Sequence, residues 1–376
     1  MISVLLSGRP SYAKLKPVLG ALWRLDTDHR LEVVACAGAL LHRFGRIVDQ
    51  VRLDFPWLAV STIYSAYDGS TVETSVKETA SLLSSLAEHY ARTKPRLVVV
   101  MADRHETAAA SLAAAYQNIP VAHIQGGERS GNIDDRVRDV NTCLATLHFP
   151  ATVRAHHRLS MFANAQSFVY QFGCPSIDLA KAAQQRPPAA RASEFGGTGP
   201  DIDLRHPFLL LLLHPETERP EDAHEQMQIV LNACAGVNLP KLGIWPGQDA
   251  GQEGGAKAIR EYRITWPSET FHMVRTIPPE AFLRLLSQTA VLVGNSSAGI
   301  REGAYIGTPV VNIGERQAYR EQATNVIDVP FNVDAIRVAI NAQLKLGFAP
   351  SSTLYGRGDA GERIAAKLLE HAWGRP

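Results

Sequence analysis

Apolar and polar positions along the chain alternate in blocks of strand and helix length. Short apolar runs at 2–6, 31–35, 96–101 and 120–124 predict buried strands, because turn residues bound each one and none is long enough for a helix. Between them apolar residues recur at helical spacing, at 12–23 through Leu15, Val18, Leu19 and Leu22, at 71–90, and in the alanine-rich stretch 107–116. After a Gly-Gly loop at 126–127 a helix is expected from 134 to about 147, then a strand at 168–172 and a short helix at 177–183. The alternation restarts with a strand at 208–213, a helix at 223–235, a strand at 241–245 and a Gly-rich loop at 246–255. A helix at 279–287, a strand at 291–293, a helix at 298–305 and a strand at 310–313 follow, and 359–373 reads as an amphipathic helix.

Residues 184–204 interrupt this pattern. They are rich in Pro, Ala, Gly and Gln without periodicity and read as a linker. The pattern predicts an α/β protein of two Rossmann-like, doubly wound domains facing a cleft, 1–183 and 205–358, with 359–376 as a helix packing back on the first. A length of 376 residues suits two such domains, and 45% hydrophobic residues can fill a core in each.

Charge narrows the function classes. Lys+Arg of 38 against Asp+Glu of 37 leaves a net charge of +1, so a general polyanion surface, and with it a nucleic-acid partner, is not expected. Cys36, Cys143, Cys174 and Cys234 form no CxxC pair, which favours buried thiols over disulfides or zinc ligands. The start of the sequence carries no basic leader and the run at 208–213 is too short to span a bilayer. The expectation is a soluble cytoplasmic protein with no membrane partner.

Candidate chemistry gathers at strand ends. The stretch 290–320, AVLVGNSSAGIREGAYIGTPVVNIGERQAYR, reads as strand, polar turn, helix and strand, a unit that can hold a phosphate at a helix N-terminus. The plain alternative is a Ser N-cap at an ordinary turn. Arg9 follows the first strand, but no GxGxxG accompanies it, so a nicotinamide or flavin dinucleotide is not supported. Asp103 follows the third strong strand and is a candidate general base or acid; it could equally cap the next helix, with Glu106 completing a capping box. Asp134 and Asp135 carry the same two readings, with capping the commoner. His214 stands after the strand at 208–213 as Asp103 stands in the first half, and a structural or exposed role is its alternative. His156 and His157 read as solvated surface.

Five segments, ADRHE at 102–106, AHIQGGERSGNIDDRVR at 122–138, GCPSID at 173–178, HP at 214–215 and GNSSAGIREGAYIGTPVVNIGERQ at 294–317, resemble the UDP-N-acetylglucosamine 2-epimerases. The nearest branch is the hydrolysing type that makes N-acetylmannosamine for sialic-acid-like sugars, and the similarity extends from 9 to about 329. The resemblance implies a two-domain fold of the glycosyltransferase-B type, a homo-oligomer (dimer or tetramer), a nucleotide-sugar or phosphosugar substrate, and chemistry without metal or redox cofactor. It implies Asp103 and Asp134 as family acids and His214 as the family histidine. Arg9, Ser296 and Ser297 match diphosphate contacts, Glu302 a ribose contact, and Asp249 a loop near the nucleotide; Arg316 and Arg320 would line or brace the site.

The chain departs from the family pattern at the sugar end. Gln125 stands where many members carry a catalytic Glu, and an amide cannot act as a base. Glu128, three residues on, is a possible replacement. In the helix at 138–149 the pattern's His, Lys and His are Asp139, Cys143 and Thr146, and the loop 246–251 has Gly247 where the family has Asn. The reading that follows is a hydrolysing 2-epimerase, with a retasked enzyme making or breaking a glycosidic bond at C1, such as sugar transfer to a nucleobase, as its alternative.

Overall fold

The computed structural model describes residues 1–65, 71–162, 167–216, 218–247 and 249–374. The apolar runs become two all-parallel sheets, one in each of two compact units. The first unit comprises 1–129, 133–178 and 356–376, and the second 130–132 and 179–355.

The first sheet contains β1 (Ile2–Leu6), β2 (Leu31–Cys36), β3 (Ala59–Ile63), β4 (Leu97–Met101), β5 (Val121–Ile124), β6 (Leu147–Phe149) and β7 (Phe168–Val169), in the order β3-β2-β1-β4-β5-β6-β7. Its inner strands β1, β2, β4 and β5 read as near-continuous apolar runs because helices cover both faces. Val4, Leu6, Val33 and Val99 face helix Arg9–Leu25 and the C-terminal helix Ala360–Trp373, while Leu5, Val34, Val98 and Val100 face Leu82, Leu86 and Ala109. Asp178 holds the start of the C-terminal helix by accepting the Ala360 and Gly361 N–H groups at 3.1 and 2.7 Å. Burial outweighs those two bonds and pushes this carboxyl up to about 6.

The second sheet contains β8 (Leu209–Leu212), β9 (Lys241–Ile244), β10 (Phe271–Val274), β11 (Val291–Gly294), β12 (Val310–Ile313) and β13 (Val326–Val329), in the order β10-β9-β8-β11-β12-β13. Leu209, Leu211, Val291, Val293 and Val311 point to one face, and Leu210, Leu212, Leu292 and Val310 to the other.

Both sheets reverse their winding direction once, between β1 and β4 and between β8 and β11. Ligands of open parallel sheets bind outside the carboxyl ends of strands at such a switch point. Arg9 and Asp103 follow β1 and β4 in the first unit; His214 and Ser296 follow β8 and β11 in the second.

Several local expectations need correction. The helix expected to reach about 147 ends at Leu144, and β6 begins three residues later. The Gly-rich loop is shorter than expected, because helix Gln252–Thr265 already includes Gly254 and Gly255. The helix expected at 298–305 is two short helices, Ser297–Ile300 and Glu302–Ile306, broken at Arg301. Residues 184–204 carry a 3-10 turn at Ala192–Phe195 and backbone bridges Arg191 to Asp203 and Thr198 to Met273. Cys36, Cys174 and Cys234 are buried thiols, whereas Cys143 is exposed on the outer face of its helix. No helix among the described residues is long and apolar enough to cross a membrane.

Candidate active site

Asp103 sits one residue beyond a backbone turn that several buried groups fix. Ala102 adopts φ 62°, and the His123 Nε2–H donates to its carbonyl at 2.8 Å. Asn141 donates to the same carbonyl at 3.3 Å and to Thr107 Oγ1 at 2.6 Å, while accepting the Ser111 hydroxyl at 2.8 Å. Burial lowers His123 to about 4, so the ring is neutral; its Nδ1 is then the acceptor facing Thr142 Oγ1 at 3.3 Å.

The capping readings of Asp103 and Asp135 give way to ion pairing. Helix His105–Ala115 has Arg104 at its N-cap with no side-chain cap, and the Asp103 carboxylate instead meets the Arg138 guanidinium. Glu106 completes no capping box, because Arg104 holds it at 3.1 Å. Burial would raise Glu106, but Arg104 and His105 keep its carboxyl below the ordinary range. Burial likewise works against a charged His105, and the carboxylates of Glu106 and Glu78 overcome it and raise the imidazole.

Arg138 is fully buried, and its charge is compensated on three sides. It pairs with Asp103, bonds Asp135 Oδ1 at 2.5 Å and donates to the Glu128 carbonyl at 2.7 Å. Asp134 is half-buried in the first turn of helix Asp134–Leu144, and its neighbour Asp135 is the acid that meets Arg138. Gln125 is fully buried with φ 64°, and its amide donates to Cys174 Sγ at 2.8 Å, which in turn lies 2.8 Å from Ser176 Oγ. The side chain is therefore part of the wall behind the site.

In the second unit the end of β11 approaches β8 closely. A Cβ at Gly294, where φ is 147°, would lie 2.0 Å from the Leu212 carbonyl oxygen, so only glycine fits there. The next residue, Asn295, is buried and brackets His214, accepting its N–H at 2.8 Å and donating to its carbonyl at 2.9 Å. Gln317 donates to the Asn295 carbonyl at 2.9 Å, and the Arg320 guanidinium donates to Gln317 Oε1 at 2.5 Å. His214 Nδ1 lies 3.8 Å from Asp249 Oδ2. Gln248, beside Asp249, falls outside the described residues. The Ser296 hydroxyl caps its short helix by accepting the Ala298 N–H at 3.3 Å, and Ser297 is half-buried beside it. Glu302 is 6% exposed, and its Oε2 has no hydrogen-bond partner among the described residues, which leaves an acceptor available to a hydroxyl. Arg316 lines a small polar recess with Glu216, Glu218 and Arg219. Arg9 is half-buried at the head of helix Arg9–Leu25.

The fold thus brings Asp103, Glu128 and Asp135 onto one guanidinium, and His214, Asp249, Asn295 and Ser296 to one switch point. Sequence reasoning missed Arg138, His123, Asn141 and Asn295. Arg138 carried one signal, a position three residues after Asp135, where helical side chains meet.

Two doubly wound parallel-sheet units with polar side chains at both switch points define a two-domain α/β protein of the glycosyltransferase-B kind. A sequence model of UDP-N-acetylglucosamine 2-epimerase matches residues 24–369. The UDP-N,N'-diacetylbacillosamine 2-epimerase (hydrolyzing) of Legionella pneumophila is 30% identical over 94% of this chain and 92% of its own length. The UDP-N-acetylglucosamine 2-epimerase of Neisseria meningitidis is 26% identical over 93% and 89%. Among solved structures, the Methanocaldococcus jannaschii UDP-GlcNAc 2-epimerase superposes with a TM-score of 0.79 at 17% identity, covering 98% of this chain and 99% of that one. The chain belongs to the UDP-N-acetylglucosamine 2-epimerase family.

Proposed function

We propose that this chain is a hydrolysing 2-epimerase acting on a UDP-activated 2-acetamido sugar of the UDP-N-acetylglucosamine type. The observation that carries the reading is the Asp103 carboxylate, paired with a fully buried arginine at the switch point of a family member's first sheet. The Legionella relative is named for UDP-N,N'-diacetylbacillosamine and the Neisseria relative for UDP-N-acetylglucosamine, and both sugars carry an acetamido group at C2.

The C2–H bond of such a sugar is weakly acidic, so a positioned base and stabilisation of the leaving diphosphate must share the barrier. Asp103 takes the C2 proton while the C1–O bond breaks and UDP leaves, forming a C1=C2 glycal. Water then adds its hydroxyl to C1, and a proton returns to C2 on the opposite face. Glu128 supplies the second acid in place of Gln125, whose amide holds Cys174, and Asp134 flanks it. Arg9, Ser296, Ser297 and Arg316 hold the diphosphate, Glu302 accepts a ribose hydroxyl, and His214 with Asp249 lies beside the leaving group. No observation favours the second reading, glycosyl transfer at C1. The active species is a cytoplasmic homo-oligomer, a dimer or tetramer, which light scattering after gel filtration would measure.

The test is incubation of the purified protein with UDP-N-acetylglucosamine and with UDP-N,N'-diacetylbacillosamine. Stoichiometric UDP and free 2-epimerised sugar are expected from at least one. Intact substrate in both would overturn the proposal.

A further inference from the structure

The loop carrying Glu128 is pressed onto the helix Val153–Ser160. Gly127, at φ 79°, leaves no room for a side chain, since a Cβ there would lie 2.4 Å from the Ala155 carbonyl oxygen and 2.8 Å from Leu159 Cγ. The same helix supplies Arg158. Its Nη1 donates to the Glu128 carbonyl at 3.1 Å, beside the Arg138 donor at 2.7 Å, so two guanidiniums hold one backbone oxygen. Arg158 Nη2 donates to both carboxylate oxygens of Asp139, at 2.9 and 2.7 Å, and the Arg158 side chain is only 15% exposed. Asp139 is one of the positions where the chain departs from the family pattern.

We propose that Asp139 and Arg158 form a positioning pair that sets Glu128, so that the substitution at 139 rebuilds the sugar end of the site. The assignment of Glu128 as the second acid rests on the epimerase reading above; the clamp rests on the geometry alone. The physical reason is registration. A planar guanidinium whose Nη2 is held by the Asp139 carboxylate keeps its Nη1 aimed at the Glu128 carbonyl, on the same Cα as the acid's side chain. Displacement of a reacting group by about 1 Å can cost ~100-fold in rate.

A charge swap separates positioning from mere stability. Arg158→Ala should lower kcat by roughly 100-fold while UDP affinity by calorimetry stays within about twofold. The double variant Asp139→Arg with Arg158→Asp re-forms an ion pair but places no donor on the Glu128 carbonyl. It should melt close to wild type and keep the low kcat. Should Arg158→Ala not fold, Arg158→Lys keeps the charge but lacks the second nitrogen that reaches the Glu128 carbonyl, and should also lower kcat. Amide hydrogen exchange across 126–129 should quicken in the lysine and swap variants alike, a readout that needs no substrate. Recovery of kcat in the swap, or unchanged exchange across 126–129, would overturn the clamp. Absence of turnover in the wild type would count against the epimerase reading only, and exchange would still decide the clamp.

Discussion

Arg138→Met removes the guanidinium on which the first unit's acids converge, and its cost can be worked from the geometry. Arg138 is fully buried, while the side chains of Asp103 and Asp135 are 16% and 10% exposed. Methionine fills much of the volume but leaves two partly buried carboxylates and the Glu128 carbonyl without this donor. Breaking a buried ion pair by deleting one partner costs about 3–5 kcal/mol. At ~2–4 °C per kcal/mol for a domain of this size, the melting temperature of the first unit should fall by ~6–20 °C. Asp103→Asn should behave differently, because the amide oxygen still accepts from Arg138 and Asp135 still pairs with it. Its stability cost should be about 1 kcal/mol, while turnover is lost. Thermal melts by circular dichroism, with UDP release on the same preparations, compare the two. An Arg138→Met protein melting within 2 °C of wild type would refute the network as described.

Acid should weaken the first unit through His123 and His148, while His105, raised by the carboxylates of Glu106 and Glu78, works the other way. Burial holds both His123 and His148 at about 4, against an ordinary 6.5, so each contributes stability that is present above 6.5 and lost as pH falls toward 4. The difference is on the order of 3 kcal/mol apiece. Asp178, raised to about 6, works in the opposite sense, favouring the fold below 3.8 and losing that contribution as pH rises through 6. His123 and His148 together outweigh Asp178 and His105, so urea midpoints should drop between pH 7 and 4.5, and His148→Gln should flatten the drop. Gln125→Glu places a carboxylate in a fully buried position against a thiol; it should lose a few kcal/mol in urea melts and gain no turnover. Gly294→Ala forces a Cβ against the Leu212 carbonyl at positive φ, and should cost on the order of 3 kcal/mol and weaken UDP binding measured by calorimetry.

The sheets were legible where both faces are covered. Runs such as Leu97–Met101 and Leu209–Leu212 are apolar at every position, and their lengths exclude helices. The strands that escaped notice lack that signal. Ala59–Ile63 and Val326–Val329 lie near sheet edges with half-exposed positions, Leu147–Phe149 is three residues long at the end of a helical pattern, and Phe271–Val274, though buried throughout, is a four-residue run interrupted by His272. Gly254 and Gly255 argued for a loop, yet Ala258, Ile259 and Tyr262 bury a helical face that carries them.

The site divides in the same way. Asp103 and His214 stood out because strand ends are readable, but Asp103's partner lies 35 residues away on another helix, a separation that no local pattern encodes. The amide at Gln125 was visible as a departure from the family. Only packing shows that it faces Cys174, and that Asp139 has acquired Arg158.

The central claim, that Asp103 removes the C2 proton of a UDP-activated 2-acetamido sugar, is tested most directly by turnover in deuterium oxide. The released sugar should carry one deuterium at C2, read by NMR and mass spectrometry, and Asp103→Asn should abolish both its release and its labelling. UDP release with hydrogen retained at C2, or unchanged labelling in Asp103→Asn, would contradict the account.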